Sequence, residues 1–295
     1  MSSVALPLAA GRHPVRDYLE LSKSRIVLMV LITAAAGYVI AAAPFSAVAL
    51  LHVLFGTALV AAGTNALNQY VERDLDGLMQ RTSRRPLPAG RIAPAAALSF
   101  SAGIAVIGTV YLWVAVNPLT ALLGAFTLTS YIFVYTPLKR ISTACTVVGA
   151  VPGAIPPLMG WAAATGSLGA GGWIVFAILF FWQLPHFMAI SWTHREDYGR
   201  AGFAMRSVRD GDGRSVAREA VLYSALLLAV SAAPSFLGMA GAAYLIGATA
   251  AGAALLLASI RFLRERNTVR ARALFMTSNI YLIAMMLLLV TLVRG

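Results

Sequence analysis

The chain alternates between long uncharged, mostly apolar blocks and shorter segments that hold nearly all of its charged residues. Because a membrane-spanning helix needs about 20 apolar residues, the four longer blocks each have room for two spans and the fifth for one. This pattern predicts an all-α integral membrane protein with nine transmembrane helices in one bundle. The blocks without Asp, Glu, Lys or Arg are Ile26–Val71, Ile92–Leu138, Ile141–His194, Ala220–Ile260 and Ala273–Val293.

The predicted domain organisation is a single membrane domain at residues 26–293, preceded by an N-terminal segment at 1–25. Within that segment, apolar residues beside charged ones at positions 16–23 predict a short interfacial helix. The continuous apolar runs exclude a β-barrel, and a composition of 59% hydrophobic and 12% charged residues excludes a soluble enzyme. The spans are predicted at 26–43, 47–69, 94–115, 118–136, 143–163, 172–190, 218–236, 241–259 and 273–293.

The net charge of +12 is concentrated in the segments on one side of the predicted bundle. Of the basic residues, only Arg294 falls on the other side, where the short hairpins carry no charge. The positive-inside rule therefore places the N-terminus and the large loops in the cytoplasm and the C-terminus outside. The expected location is a bacterial inner membrane, with the mitochondrial inner membrane as the less favoured alternative. The charge thus indicates topology and attraction to anionic lipid, and it gives no support for nucleic-acid binding.

Candidate chemistry begins where the second span ends. Asn68, Glu72 and Asp76 follow one another at intervals of four, so on a helix they share one face over about 12 Å. Asp74 faces away and is expected to pair with an arginine. Two carboxylates and a carboxamide suit Mg²⁺, a cation that prefers oxygen ligands. The sequence therefore predicts a magnesium site on this face.

The segments at 70–92 and 191–217 are the predicted catalytic loops. Guanidinium groups bind phosphate oxygens with two parallel hydrogen bonds, so arginines close to a magnesium site predict a diphosphate ligand. In the second loop, one of Glu196 and Asp197 is a candidate for a further metal ligand, and Tyr135 with Lys139 is a candidate phosphate anchor. The residues predicted to bind diphosphate are Arg73, Arg81, Arg84, Arg85, Lys139 and Arg195.

At these motifs the chain resembles the UbiA superfamily of intramembrane prenyltransferases. The superfamily pattern Asn-Asp-x-x-Asp-x-x-x-Asp is matched at residues 68–76, with Gln69 and Glu72 as departures, and Tyr-x-x-x-Lys is matched by Tyr135 and Lys139. A second acidic motif is incomplete, because Asp197 is present but position 201 is alanine. The resemblance implies that Asn68, Glu72, Asp76 and Asp197 are metal ligands and that these four act in catalysis with Tyr135 and Lys139.

Four longer stretches are more specific and resemble the protoheme IX farnesyltransferase family within that superfamily. They are Asp76–Gly90, Pro156–Trp161, Trp182–Phe187 and Glu196–Met205. The resemblance implies a Mg²⁺-dependent enzyme with its active site at the cytoplasmic face. The implied reaction transfers the farnesyl group of farnesyl diphosphate to the 2-vinyl group of protoheme IX and gives heme O and diphosphate. A heme A synthase is the implied downstream partner.

Protoheme is expected here as a substrate and not as a prosthetic group. His186 and His194 are the candidates for contact with its iron. One alternative is a superfamily member that prenylates an aromatic quinone precursor and needs no heme. Two alternatives from other classes are a non-catalytic heme-binding membrane protein and a transporter. A transporter would place ionisable residues near the bilayer midplane, where the predicted spans have none.

Overall fold

A computed structural model describes residues 14–41 and 44–293 of the chain, and this part is helical apart from one isolated bridge between Ala240 and Val293. Residues 1–13 of the N-terminal segment and Arg294 lie outside the described residues. The helices are α1 (Pro14–Leu21), α2 (Ser24–Ile40), α3 (Ala47–Leu78), α4 (Pro94–Ala115), α5 (Pro118–Thr129), α6 (Thr136–Ile141), α7 (Cys145–Thr165), α8 (Ala170–Thr193), α9 (Arg195–Arg200), α10 (Arg206–Arg209), α11 (Arg214–Phe236), α12 (Ala242–Arg264) and α13 (Thr268–Leu292). A π-helical turn, Ser130–Tyr135, joins α5 to α6.

The predicted spans coincide with helices, but the described residues give a count of eight spans, or nine if α1 and α2 together form one. In the described part of the chain, eight helices are long and apolar enough to cross a membrane, with α5 and α6 counted as one. The remaining predicted span, 26–43, corresponds to α2, which has 17 residues and is bent by 53° from α1. It reaches the required length only when α1 and α2 are taken together. A short helix, α1, lies where the interfacial helix is predicted.

Both predicted catalytic loops contain more helix than the hydropathy pattern indicates. α3 continues to Leu78, beyond the predicted end at 69, and stops where Met79 adopts an extended conformation. The apolar pattern marks only the part of a helix that faces lipid, so the polar turns that follow are missed. The second loop folds into α9 and α10 before α11 begins.

The centre of the bundle is the close contact between α2 and α7. A Cβ added at Gly160 would lie 1.9 Å from the carbonyl oxygen of Ala34, and one added at Gly37 would lie 1.9 Å from that of Pro157. Small residues at such crossings let two backbones approach, which is how helices associate in membranes. One apolar cluster packs α2 and α7 against α3, α4 and α5, and a second packs them against α8, α11, α12 and α13.

The loops at the basic end of the bundle pack against one another as a third apolar cluster. Met79, Cys145, Ala201, Phe203 and Met205 form its buried part. The backbone N–H of Ala204 also donates to the carbonyl of Lys139 at 2.7 Å. The loop after α9 is thereby fixed over the ends of α3 and α6.

Candidate active site

The three candidate metal ligands of α3 lie on one buried face of the helix. Asn68, Glu72 and Asp76 are 1%, 5% and 1% exposed, and the amide Nδ2 of Asn68 donates to Glu72 Oε2 at 2.9 Å. Asp74 is on the other face, where its side chain is 85% exposed and pairs with Arg73 at 3.7 Å. The expected separation of these acids by helix geometry is therefore observed.

Each buried carboxylate of this face is paired with a cation from another segment. Lys139 Nζ, on α6, donates to both oxygens of Glu72 at 2.7 and 3.0 Å. Arg85 Nη1, in the loop after α3, donates to Asp76 Oδ2 at 2.7 Å. Both carboxylates are nearly inaccessible to solvent, so each would be strongly destabilised without its partner.

A third cation reaches the face from the break between α1 and α2. Lys23 Nζ donates to Asn68 Oδ1 at 2.9 Å. Burial, together with the nearby charges of Arg85 and Lys139, lowers the pKa of Lys23 to about 7. When all the groups are ionised, three cations face two carboxylates. The site therefore has a surplus of positive charge in a poorly solvated place, which favours a bound anion.

The π-helical turn between α5 and α6 places the residues that face α3. Pro137 has no N–H and its ring crowds the carbonyl four residues earlier, so the regular hydrogen-bond ladder is interrupted where the π-helical turn meets α6. The hydroxyl of Thr136 donates instead to the carbonyl of Tyr131 at 2.8 Å and lies 3.3 Å from Asn68 Nδ2. Four residues after the ring of Tyr135, Lys139 Nζ lies 4.5 Å from the centre of that ring. The predicted phenol and ammonium pair is thus beside the acidic face.

The oxygen donors of the α3 face fit Mg²⁺ only together with ligands from water and a substrate. Among the described residues, no three side chains of His, Cys, Asp or Glu are close enough to hold a metal ion together. Mg²⁺ is usually held by one or two carboxylates, while water and substrate phosphates supply the remaining ligands. Glu72 and Asp76 therefore suit a magnesium diphosphate complex, whereas an all-protein cage does not form here.

Asp197, the candidate for a further metal ligand, lies where the two loops meet. Its oxygens accept hydrogen bonds from the backbone N–H groups of Gln80 and Arg81 at 3.2 and 3.4 Å, and from the guanidinium of Arg200. Burial alone would raise the pKa of Asp197, but these donors together lower it. Asp197 holds the second loop against the first, and metal ligation by this carboxylate stays a prediction.

Of the arginines expected to bind diphosphate, Arg85 alone contacts the buried acids Glu72 and Asp76 among the hydrogen bonds and ion pairs of the described residues. Arg73 donates to the carbonyl of Tyr70 and pairs with Asp74, on the exposed side of the helix. The side chain of Arg84 is exposed, and its carbonyl accepts from Arg91.

The two remaining arginines lie against aromatic rings of the second loop. Arg81 Nη2 is 3.3 Å from the hydroxyl of Tyr198. Arg195 stacks on the indole of Trp192, with its guanidinium carbon 4.4 Å from the ring centre. These contacts place both guanidinium groups with α8 and α9, and neither donates to the α3 face.

The two candidate histidines have different surroundings, although both are on α8 or at its end. His186 Nδ1 lies 2.9 Å from Ser278 Oγ of α13, and the rings of Trp182 and Phe275 are 4.9 and 4.8 Å from the imidazole centre. His194 ends α8, where burial and the nearby charge of Arg81 lower its pKa. Only His186 is therefore held in one orientation by a hydrogen bond to its ring.

Three residues of these sites are missed by reasoning from the sequence alone. Lys23, Thr136 and Ser278 contact Asn68 or His186 from segments far away in the chain. For Lys23 one signal was available, because the chain has only two lysines and both bind the α3 face. Thr136 and Ser278 carry no distinguishing sequence pattern.

Comparison with known proteins gives a consistent result over most of the chain. The model of the UbiA prenyltransferase family matches residues 30–285. A protoheme IX farnesyltransferase of Solibacter usitatus is 47% identical over 278 residues, which cover 91% of this chain and 95% of that protein.

Solved structures support the same fold. A digeranylgeranylglyceryl phosphate synthase superposes with a TM-score of 0.79 at 19% identity and covers 94% of this chain and 97% of its own. A UbiA homologue from Archaeoglobus fulgidus, bound to GPP and Mg²⁺, superposes with a TM-score of 0.67 at 16% identity and covers 92% and 99%. The chain belongs to the UbiA prenyltransferase family and, within it, to the protoheme IX farnesyltransferases.

Proposed function

We propose that this protein transfers the farnesyl group of farnesyl diphosphate to the 2-vinyl group of protoheme IX and releases diphosphate. Membership of the family supports the choice of substrates. The observation that carries the proposal is the buried face of α3, where three cations surround two carboxylates and one carboxamide. With Lys23 protonated, the three cations exceed the two carboxylates by one positive charge, and a prenyl diphosphate supplies the compensating negative charge together with an apolar tail.

The diphosphate binds where Lys23, Arg85 and Lys139 converge, and its oxygens take over hydrogen bonds that these cations now make with α3. Glu72 and Asp76 would hold Mg²⁺, which when bound would supply positive charge to stabilise the departing diphosphate. The metal ion is a proposal for this chain, supported by the oxygen donors and by the magnesium in the Archaeoglobus homologue.

Transfer breaks the bond between C1 of the farnesyl group and the diphosphate oxygen. The terminal vinyl carbon of protoheme then bonds to C1, and water adds a hydroxyl to the inner vinyl carbon with release of a proton. The cations stabilise the negative charge of the leaving group. The ring of Tyr135, which already lies beside the ammonium of Lys139, can stabilise positive charge on the farnesyl group through its π face. The cluster of Met79, Phe203 and Met205 restricts early entry of water.

His186 is the proposed ligand of the protoheme iron. Ser278 Oγ donates its hydrogen to the carbonyl of Phe275 at 2.6 Å, so it accepts a hydrogen bond from His186 Nδ1. The Nδ1 atom therefore carries the proton, and Nε2 keeps the lone pair that binds iron. A hydrogen bond on the opposite ring nitrogen is the usual support of a metal-binding histidine. His194 is the second candidate, without such support.

The site lies at the basic end of the bundle, which we place at the cytoplasmic side of a bacterial inner membrane by the positive-inside rule. At this end of the bundle both substrates reach the site from the membrane surface. The hydroxyethylfarnesyl product is the implied substrate of a downstream heme A synthase.

The test offers two acceptors to the purified protein in lipid nanodiscs with farnesyl diphosphate and Mg²⁺. Protoheme and 4-hydroxybenzoate compete at equal concentration, and products are identified by mass spectrometry. The proposal predicts a hydroxyethylfarnesyl heme and diphosphate in equal amounts, both lost after chelation of Mg²⁺. A prenylated aromatic acid without farnesylated heme would instead assign the protein to the quinone pathway.

A further inference from the structure

The break between α1 and α2 is held in an unusual backbone conformation. Within the described residues, Lys23 is the only residue other than glycine with positive φ, at φ 52° and ψ 55°. This left-handed conformation is strained for an L-residue and persists only where the surroundings fix it. The neighbouring contacts should therefore include one that holds the break.

That contact comes from Gln69, a buried residue of α3 that is 1% exposed. Its amide Nε2 donates to the carbonyl of Leu21 at 2.7 Å and to that of Glu20 at 3.1 Å. The last carbonyls of a helix lack partners within the helix, and here a side chain of another helix satisfies them. A carboxylate at position 69 has no hydrogen to donate and would face two carbonyl oxygens.

Asn68 and Gln69 thus contact the break between α1 and α2 at two points, the side chain of Lys23 and the carbonyl groups at the end of α1. Consecutive helix positions point about 100° apart, so one side chain faces the acidic site while the next faces α1. Gln69 binds the backbone carbonyls two and three residues before Lys23, and Asn68 receives the ammonium at 2.9 Å. The departure from the superfamily pattern at this position therefore has a structural role.

We propose that Gln69 is a positioning residue that holds Lys23 at the diphosphate site by binding the carbonyl groups at the end of α1. Gln69 itself does not contact the substrate. The inference rests on the proposed diphosphate site, since it assigns Lys23 a phosphate of farnesyl diphosphate.

α1 is also attached to the bundle by contacts that do not involve Gln69. Arg91 pairs with Asp17 and Glu20, and the ring of Tyr18 packs on that of Phe100 at 4.6 Å. These contacts keep α1 docked when the amide of Gln69 is removed. Gln69→Met, which keeps the length of the side chain, is therefore expected to leave the protein folded while the break relaxes.

The experiment is a double-mutant cycle of Gln69→Met and Lys23→Met in nanodiscs, with kcat and KM measured for farnesyl diphosphate. Loss of one hydrogen bond to a charged group lowers kcat/KM by about ten- to a hundredfold, so each single variant is expected to fall in this range. In the Lys23→Met background, Gln69→Met should change kcat/KM by less than about twofold, because the group through which it acts is already gone.

Two further measurements separate positioning from general damage. Binding of protoheme, followed by its absorbance, should be unchanged in Gln69→Met. Gln69→Asn keeps the amide on a shorter arm and should fall between wild type and Gln69→Met; it also replaces Gln69→Met in the cycle if that variant does not fold. Independent, multiplying effects of positions 23 and 69 would overturn the inference. Failure of the wild type to bind farnesyl diphosphate would instead overturn the proposed function.

Discussion

Replacing Asp76 by asparagine removes one negative charge from the α3 face and leaves the shape of the side chain unchanged. Asp76 is paired with Arg85 at 2.7 Å, and their side chains are 2% and 24% exposed. Removing one preorganised charged group from a site that excludes water lowers kcat by about 10²–10³-fold, or about 2.7–4 kcal/mol. The loss of stability should be smaller, because Arg85 can turn towards solvent.

Asp74→Asn is the matched control on the same helix. Asp74 is 85% exposed and pairs with Arg73 at 3.7 Å, a surface pair that contributes less than about 1 kcal/mol. Its effect on turnover should therefore be less than about fivefold. Both variants are assayed in nanodiscs for farnesylated heme by mass spectrometry, with thermal stability as the folding control. Equal losses of activity at both positions would refute the assignment of the buried face as the site.

Three other predictions follow from the packing of the loops and helices. Folding lowers the pKa of Asp197, so its carboxylate stabilises the folded protein near neutral pH and loses this effect as the pH falls through the pKa of the folded state. The difference in melting temperature between wild type and Asp197→Asn should therefore shrink in acid. Gly160→Ala should lower thermal stability by about 1–3 kcal/mol, because backbone atoms of α2 block a Cβ, whereas Gly103→Ala, with open space around it, should be neutral in the same assay. Ser278→Ala should change the heme absorbance spectrum through His186 without changing the KM for farnesyl diphosphate; an unchanged spectrum would contradict iron ligation by this ring.

Much of the fold could be predicted because it depends on local pattern. Uninterrupted apolar runs mark the lipid-facing helices, and an interval of four residues places Asn68, Glu72 and Asp76 on one face. The pairing of Asp74 with Arg73 follows from the same geometry. These features need no knowledge of which helices are neighbours.

The parts that could not be predicted depend on contacts between distant segments. Lys23 and Asn68 are 45 residues apart, and Asp197 lies 117 residues from the backbone N–H of Gln80 that it binds. An acid close to arginines has the same sequence pattern whether it binds a metal or fixes a loop, so the contacts of Asp197 with the first loop could not be predicted. Neither hydropathy nor spacing predicts the π-helical turn or the capping of α1 from α3.

The most direct test of the account is the position of the metal in a crystal of this protein with Mn²⁺ and a non-hydrolysable farnesyl diphosphate analogue. The anomalous signal of Mn²⁺ locates the ion independently of the protein coordinates. The account predicts a peak about 2.1 Å from carboxylate oxygens of Glu72 and Asp76, with phosphate oxygens in contact with Lys139 and Arg85. The absence of a peak at Glu72 and Asp76, or an analogue bound away from the α3 face, would contradict it.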